Sequence, residues 1–254
     1  MLLESPGCAG PTFLGHWPEG FLQDMALVLK SKVGMPKIQY HGEKIDLAAQ
    51  SRRGRRRLLP VTIVYSAYAI TVLVLALRAA SRPWVPVAFW VAGAFVWTFM
   101  EYLAHRWILH QRFPDGPGPF QHWLHRTFDN LHTEHHARPW DGNHINGTIK
   151  DTWLYMALFG ALSFLAPLPT LPVLWASIMQ FYVIEEWVHH SVHYLSHYGL
   201  GGPYWTYINR HHAWHHSPRG SETAFGLTNG FWDIVFATRI PADIRERLYH
   251  RRTA

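Results

Sequence analysis

Ten of the chain's 19 histidines fall into four groups with the spacing of metal ligands: His105 and His110; His132, His135 and His136; His189 and His193; His212, His215 and His216. Imidazole suits iron, zinc, copper and nickel. A structural zinc takes four ligands, so ten imidazoles are too many for one ion. They suit two, with a position left open for dioxygen or water. Cys8 is the only cysteine, which leaves no disulfide framework and no cysteine-held iron–sulfur cluster.

Residues three and four apart share a helical face. His132 with His135 and His136, and His212 with His215 and His216, are therefore each expected as a tripod of imidazoles, and His189 with His193 as a pair. His105 and His110, five apart, diverge by about 140° on a regular helix, so the helix is expected to end or unwind between them. Glu134, Asp141, Glu185, Glu186 and Asp233 lie close enough in sequence to accept hydrogen bonds that fix the tautomer of ligating histidines. Each also reads as a plain surface or interface acid. His190 and His211 adjoin the pattern but fall outside its period, and His16, His41, His122, His125, His144, His197 and His250 read as exposed or hydrogen-bonded structural residues.

The groups are strung between apolar segments. Val61 to Ala80 is close to the roughly 20 residues that a helix needs to cross hydrocarbon. Ser81 to Pro86 form a turn, and Val87 to Leu103 form a second apolar segment running into His105, so the two are expected as a transmembrane hairpin. Residues 104–150 are polar and broken by Asp115-Gly116-Pro117-Gly118-Pro119, which places them outside the bilayer core. Two shorter apolar segments follow, Thr152 to Ala166 and Val173 to Trp187, each about 22 Å long against a core of about 30 Å. They either span a thinned bilayer or form a re-entrant hairpin. In both cases the chain returns to the face it left, and all four histidine groups share one side.

Arg52, Arg53, Arg55, Arg56 and Arg57 are the densest part of a net charge of +6. Because they immediately precede an apolar stretch, they read as a cytoplasmic membrane flank and not as a nucleic-acid patch. The 13 tryptophans suit membrane interfaces, and the mean hydropathy of -0.08 averages apolar spans with a His- and Arg-rich remainder. Met1 to Gly10 lack a secretory signal, so insertion is expected through the internal spans. The expected fold is all-α: a bundle of two to four membrane spans with a helical cap on its cytosolic face. Residues 1–57 form an N-terminal cytosolic tail, with a short helix at Phe21–Lys30, and residues 58–254 form the membrane domain.

The ordered set HxxxxH, HxxHH, HxxxH and HxxHH resembles the fatty acid hydroxylase and sterol desaturase superfamily of membrane di-iron proteins, from about residue 97 to 240. The closing Phe-Gly-Leu-Thr-Asn-Gly-Phe-Trp-Asp-Ile-Val-Phe-Ala-Thr is similar to the family's terminal pattern, with Ala237 where a glycine is commoner. His135-His136-Ala137-Arg138-Pro139-Trp140-Asp141-Gly142 and the doubled His211-His212 resemble the fatty acid 2-hydroxylase branch. The Gly- and Pro-rich loop from His110 to His132 departs from that branch, as does the lack of a haem-binding cytochrome domain before the spans. The resemblance implies two iron ions on the ten histidines, with zinc as a possible substitute in purified protein. It also implies dioxygen as oxidant and a lipid C–H bond, of a fatty-acyl or sphingolipid-type chain, as the target of hydroxylation or desaturation. A sterol or carotenoid substrate is the alternative within the superfamily.

Aliphatic C–H bonds yield to neither acid nor base, so their oxidation needs metal and dioxygen. The chain has no Rossmann glycine fingerprint, cysteine cluster or haem module, so an external electron donor is implied, and the basic cytosolic surface suits an acidic one. A membrane zinc hydrolase would usually carry HExxH, which is absent. A metal transporter or a membrane cytochrome would place its histidines within the spans, whereas here they cluster at span ends.

Overall fold

A computed structural model describes residues 38–40, 43–111, 113 and 115–250. The expected helix at Phe21–Lys30 lies outside the described residues, as do Cys8, His16 and His41. The first long helix, α1 (Leu47–Ala79), begins where the Asp46 carboxylate accepts the Ala49 N–H at 3.0 Å. Its buried residues Ser51, Gly54, Leu58, Val61, Tyr65, Ala69, Val72 and Ala76 recur every three or four positions and form one stripe. The sequence puts the first span at Val61 behind a tail, but the helix continues back through the arginines. The boundary expected between residues 57 and 58 thus falls inside α1. The reason is local packing: a Cβ on Gly54 would meet the His190 ring at 2.6 Å, and one on Gly142 would come closer still to the Gln50 carbonyl.

At 33 residues, α1 is about 50 Å long and exceeds the about 30 Å of hydrocarbon, so its basic end projects beyond it. A turn after Ala80 leads into α2 (Trp84–Ala104), which continues as one π-helical stretch through His105–Leu109. Among the described residues, α1 and α2 with its π extension are the helices long and apolar enough to cross a membrane. The short segments expected after residue 150 are unequal. α5 (Ile149–Ser163) has 15 residues, whereas α6 (Leu171–His193) has 23, about 34 Å, and carries its histidines on an unbroken helix.

α6 is the central helix, packed along α1 and α2 and flanked by α5. At the α2–α6 crossing a Cβ on Gly93 would come within 2.5 Å of the Leu174 carbonyl, and Ser177 Oγ donates to the Trp90 carbonyl at 2.6 Å. Small residues let these two backbones approach closely. Val61, Tyr65, Trp97, Met156, Ile178, Met179 and Tyr182 fill the space between α1, α2, α5 and α6. Val91 and Phe95 on α2 and Leu154, Leu158 and Leu162 on α5 face outward, as lipid-facing surfaces do.

The cap comprises α3 (Pro119–Leu124) with a π stretch at His125–Asp129, α4 (Asn130–Ala137), α7 (Leu195–Tyr198), α8 (Pro203–His215), α9 (Phe231–Val235) and α10 (Ala242–His250). A small antiparallel hairpin, β1 (Ile38–Tyr40) with β2 (Glu43–Ile45), pairs Ile38 with Ile45. It is the one addition to the all-α expectation among the described residues.

Candidate metal centre

His105 and His110 meet because, as expected, the helix changes between them: it loosens into a π turn over His105–Leu109 and ends before His110. The His110 N–H donates to the His105 carbonyl at 3.3 Å, a bond between residues five apart that defines a π turn. One such turn brings both rings toward one point, with centroids 5.1 Å apart.

The structure brings the ten patterned histidines into two groups of five. His105, His110, His132, His136 and His215 form one, and His135, His189, His193, His212 and His216 form the other. The two HxxHH boxes are not tripods on single sites, as expected, but are divided between the groups. On a helix the first and last histidines of a box lie about 40° apart, while the middle one, at the fourth position, lies about 100° from the last and about 60° from the first on its other side. His132 and His136 therefore face one group and His135 the other; His212 and His216 face the second group and His215 the first. The rings of His136 and His216 stack at 4.4 Å where the groups adjoin.

Within each group the potential donor atoms all lie within 4.8 Å of one another. Nε2–Nε2 separations are 3.0 Å for His110–His215, 3.1 Å for His132–His136, 3.1 Å for His135–His189, 2.8 Å for His193–His212 and 3.0 Å for His212–His216. Ligands about 2.1 Å from a common ion stand about 3 Å apart when adjacent and about 4.2 Å when opposite, so the donor sets fit one ion each. Burial first, and then the neighbouring imidazoles, hold His135, His136, His212, His215 and His216 well below the ordinary histidine range. These rings are neutral and converge lone pairs that protons do not neutralise. His105 Nε2, buried and without a hydrogen-bond partner among the described residues, fits the same reading. The arrangement suits a di-metal site.

A loop stands behind the first group. His105 Nδ1 donates to the Phe225 carbonyl, and His215 Nδ1 to the Thr223 carbonyl at 2.8 Å, which leaves Nε2 of each free. Glu101 holds this loop by accepting the N–H groups of Leu227 (2.6 Å) and Thr228 (2.9 Å) and the Thr228 hydroxyl (2.6 Å). Asp233 holds it by accepting the N–H groups of Phe225 (2.9 Å) and Gly226 (3.0 Å) and the Thr238 hydroxyl (2.7 Å). Sequence reasoning passed over Glu101, although a lone acid inside an apolar span is itself a signal.

The five carboxylates singled out in the sequence make no hydrogen bond to any of the ten histidines. Glu134 pairs with Arg138, Asp141 with His144 at 3.0 Å, and Asp233 with His211 at 3.2 Å. Glu186 binds Asn146 Nδ2 at 2.7 Å and the Gly147 N–H at 3.1 Å. Glu185 lines a cavity. His190 and His211 stay outside both groups: His190 meets Asn146 at 3.1 Å and Ser51 at 3.4 Å, and His211 meets Asp233. His122 pairs with Asp115 and His125 with the Phe113 carbonyl.

The cavity, of about 330 Å³, runs from the histidines into the helix bundle. His105 and His132 of the first group and His135 and His189 of the second border one end. Trp97, Met100, Tyr155, Phe159 and Trp175, from α2, α5 and α6, supply its apolar walls.

An all-helical bundle with two membrane-length helices and two buried groups of imidazoles defines a membrane protein with a di-metal site. The chain belongs to the fatty acid hydroxylase family, whose profile matches residues 90–238. It is 28% identical over 158 residues to the fatty acid 2-hydroxylase of Rattus norvegicus, covering 62% of this chain and 41% of that protein. It is 30% identical over 151 residues to the dihydroceramide fatty acyl 2-hydroxylase FAH1 of Arabidopsis thaliana, covering 58% and 59%. It is 28% identical over 163 residues to the ceramide very long chain fatty acid hydroxylase SCS7 of Saccharomyces cerevisiae, covering 59% and 38%. The chain thus spans less than two thirds of the length of these relatives. Full-length scs7p, of which only the hydroxylase domain is visible, superposes with a TM-score of 0.60 at 25% identity, covering 72% of this chain and 66% of that one.

Proposed function

We propose that this chain hydroxylates a carbon near the head of a lipid acyl chain, with two irons held by the ten histidines. The observation that carries this reading is the cavity, because it joins both histidine groups to an apolar pocket walled by the membrane-length α2 and by α5 and α6. The names of the relatives point to acyl-chain 2-hydroxylation, of ceramide-type lipids in the plant and yeast proteins.

His105, His110, His132, His136 and His215 would hold one iron, and His135, His189, His193, His212 and His216 the other. Iron held there and reduced from outside would supply the activation of dioxygen that attack on an aliphatic C–H bond needs. One oxygen atom enters the substrate and the other leaves as water, so each turnover consumes two electrons and two protons. The walls at Trp97, Met100, Phe159 and Trp175 exclude water and fix the chain's path, and holding one carbon against the centre decides which bond reacts. Phe225 and Thr223 keep the protons of His105 and His215 on Nδ1, facing away from the ions.

The basic end of α1 lies level with the histidines, since Ser51 and Gly54 touch His190. By the positive-inside rule this supports a centre on the cytoplasmic face, where a soluble or membrane-bound electron donor would reach it. That donor would be acidic if the arginines recruit it.

The test is metal analysis of purified protein together with lipidomics of cells with and without it. About two irons per chain and lipids heavier by one oxygen are expected. Loss of two hydrogens would mean desaturation, one zinc per chain a hydrolase, and haem absorbance a cytochrome.

A further inference from the structure

Four carboxylates line the cavity: Asp151, which caps α5 through Thr148, and Glu101, Glu185 and Glu186, which are each more than nine-tenths buried, at 4%, 6% and 6% exposure. Of the three buried glutamates, two are saturated within the protein. Glu101 holds the Leu227–Thr228 loop, and Glu186 holds Asn146 and Gly147. Glu185 makes no hydrogen bond to any described residue. A buried carboxyl without a partner is costly to keep, and the cavity is the space from which a partner can come.

Its position narrows the partner. Glu185 precedes His189 by four residues on α6, so the two share a face, with Glu185 one turn nearer the apolar end of the cavity. Whatever meets Glu185 therefore lies beside the reacting centre and not at the far end of a hydrocarbon tail. An anionic group there would face the cavity's carboxylates, whereas a neutral hydrogen-bond donor would satisfy the one that lacks a partner.

We propose that Glu185 is a specificity-determining residue that accepts a hydrogen bond from a neutral donor, an amide N–H or a hydroxyl, on the lipid held in the cavity. The proposal rests on the reading of this cavity as the lipid site. It selects lipids with such a donor close to the oxidised carbon over free fatty acids and over lipids in which the donor is blocked.

The test uses metal-loaded full-length protein in lipid nanodiscs and competition against a fluorescent acyl lipid. Three competitors share one acyl chain: an N-acyl amino alcohol, its N-methyl amide and its O-methyl ether. Wild type is expected to bind the parent at least about tenfold tighter than whichever analogue lacks the donor that Glu185 reads, and the two analogues tell amide from hydroxyl. Glu185→Leu should reduce that preference to about onefold while metal stays at two per chain. Glu185→Gln, whose carbonyl still accepts, should keep most of it and serves if the leucine variant does not fold. Equal binding of all three by wild type, or an unchanged preference in Glu185→Leu, overturns the proposal. Because binding is read separately from turnover, wild type that shows the preference but oxidises none of the three would defeat the hydroxylase reading and leave this one standing.

Discussion

The first histidine group takes two rings from the π turn after α2, two from α4 and one from α8; the second takes two from α6, one from α8, one from His216 just after it and one from α4. Supply is nearly symmetric, but what stands behind the rings is not. In the first group His105 and His215 donate from Nδ1 to carbonyls of one loop, which Glu101 and Asp233 hold. In the second, Nδ1 of His135, His212 and His216 is buried without a hydrogen-bond partner among the described residues. Helix spacing alone aims the second group, whereas a loop and two buried acids aim the first. An acceptor on the far nitrogen fixes the ring and raises its basicity, so the two metal positions should differ in affinity.

The largest effect comes from removing a donor. His215→Ala and His135→Ala each take one ring from a different group, and both should cut lipid oxidation by more than about 100-fold, beyond the about 10–100-fold typical of outer partners. Metal content should fall below two per chain while membrane insertion is retained. Full turnover in either variant would show that the two groups do not act as one centre.

Next come the acids behind the loop. Asp233→Asn replaces one of two accepting oxygens with an NH2 group that cannot accept from the Phe225 or Gly226 N–H, and Glu101→Leu removes the acceptor of Leu227 and Thr228. Each should weaken one metal by about 10–100-fold and spare the other, seen as a stepwise metal titration with one affinity shifted. Equal weakening of both sites would erase the distinction between the groups. Chelation of the wild type should be biphasic, with the second group's metal leaving about tenfold faster because its rings lack acceptors. In Asp233→Asn the two phases should merge.

Much of this was legible in the sequence where periodicity carries it. The ten histidines, the hairpin around Ser81–Pro86 and the short α5 follow from spacing and apolar length. The division of each HxxHH box between two ions was implicit in the 100° step but was masked by treating three neighbours as one face. The π turn was not legible, because propensity does not distinguish one extra residue per turn from a break. Backbone carbonyls as acceptors were invisible for a stronger reason: Thr223 and Phe225 act through atoms that every residue has, and only the fold decides which of them point at His215 and His105. The start of α1 escaped because a basic run reads as a flank until Ser51 and Gly54 find His190 and Gly142 across the bundle.

The smallest expected effect tests the loop's foundation. Ala237, exposed at the end of α9, sits at φ 56°, in the left-handed region that favours glycine, and Ala224, between the two acceptor residues, sits at φ 58°. The turn at Ala237 is what brings Thr238 back, so that its hydroxyl reaches Asp233 and its carbonyl accepts the Ala224 N–H at 2.8 Å. A left-handed non-glycine residue costs about 1–2 kcal/mol, and glycine gives back about 0.5–1 kcal/mol through its freer unfolded chain. Ala237→Gly should therefore stabilise by about 0.5 kcal/mol, raising Tm by about 1–2 °C, with metal content and turnover changed less than about twofold. A fall in Tm confined to metal-loaded protein would mean that the alanine methyl supports the first group directly. A rise in both loaded and metal-free protein would place the strain in the turn itself, as the dihedral implies.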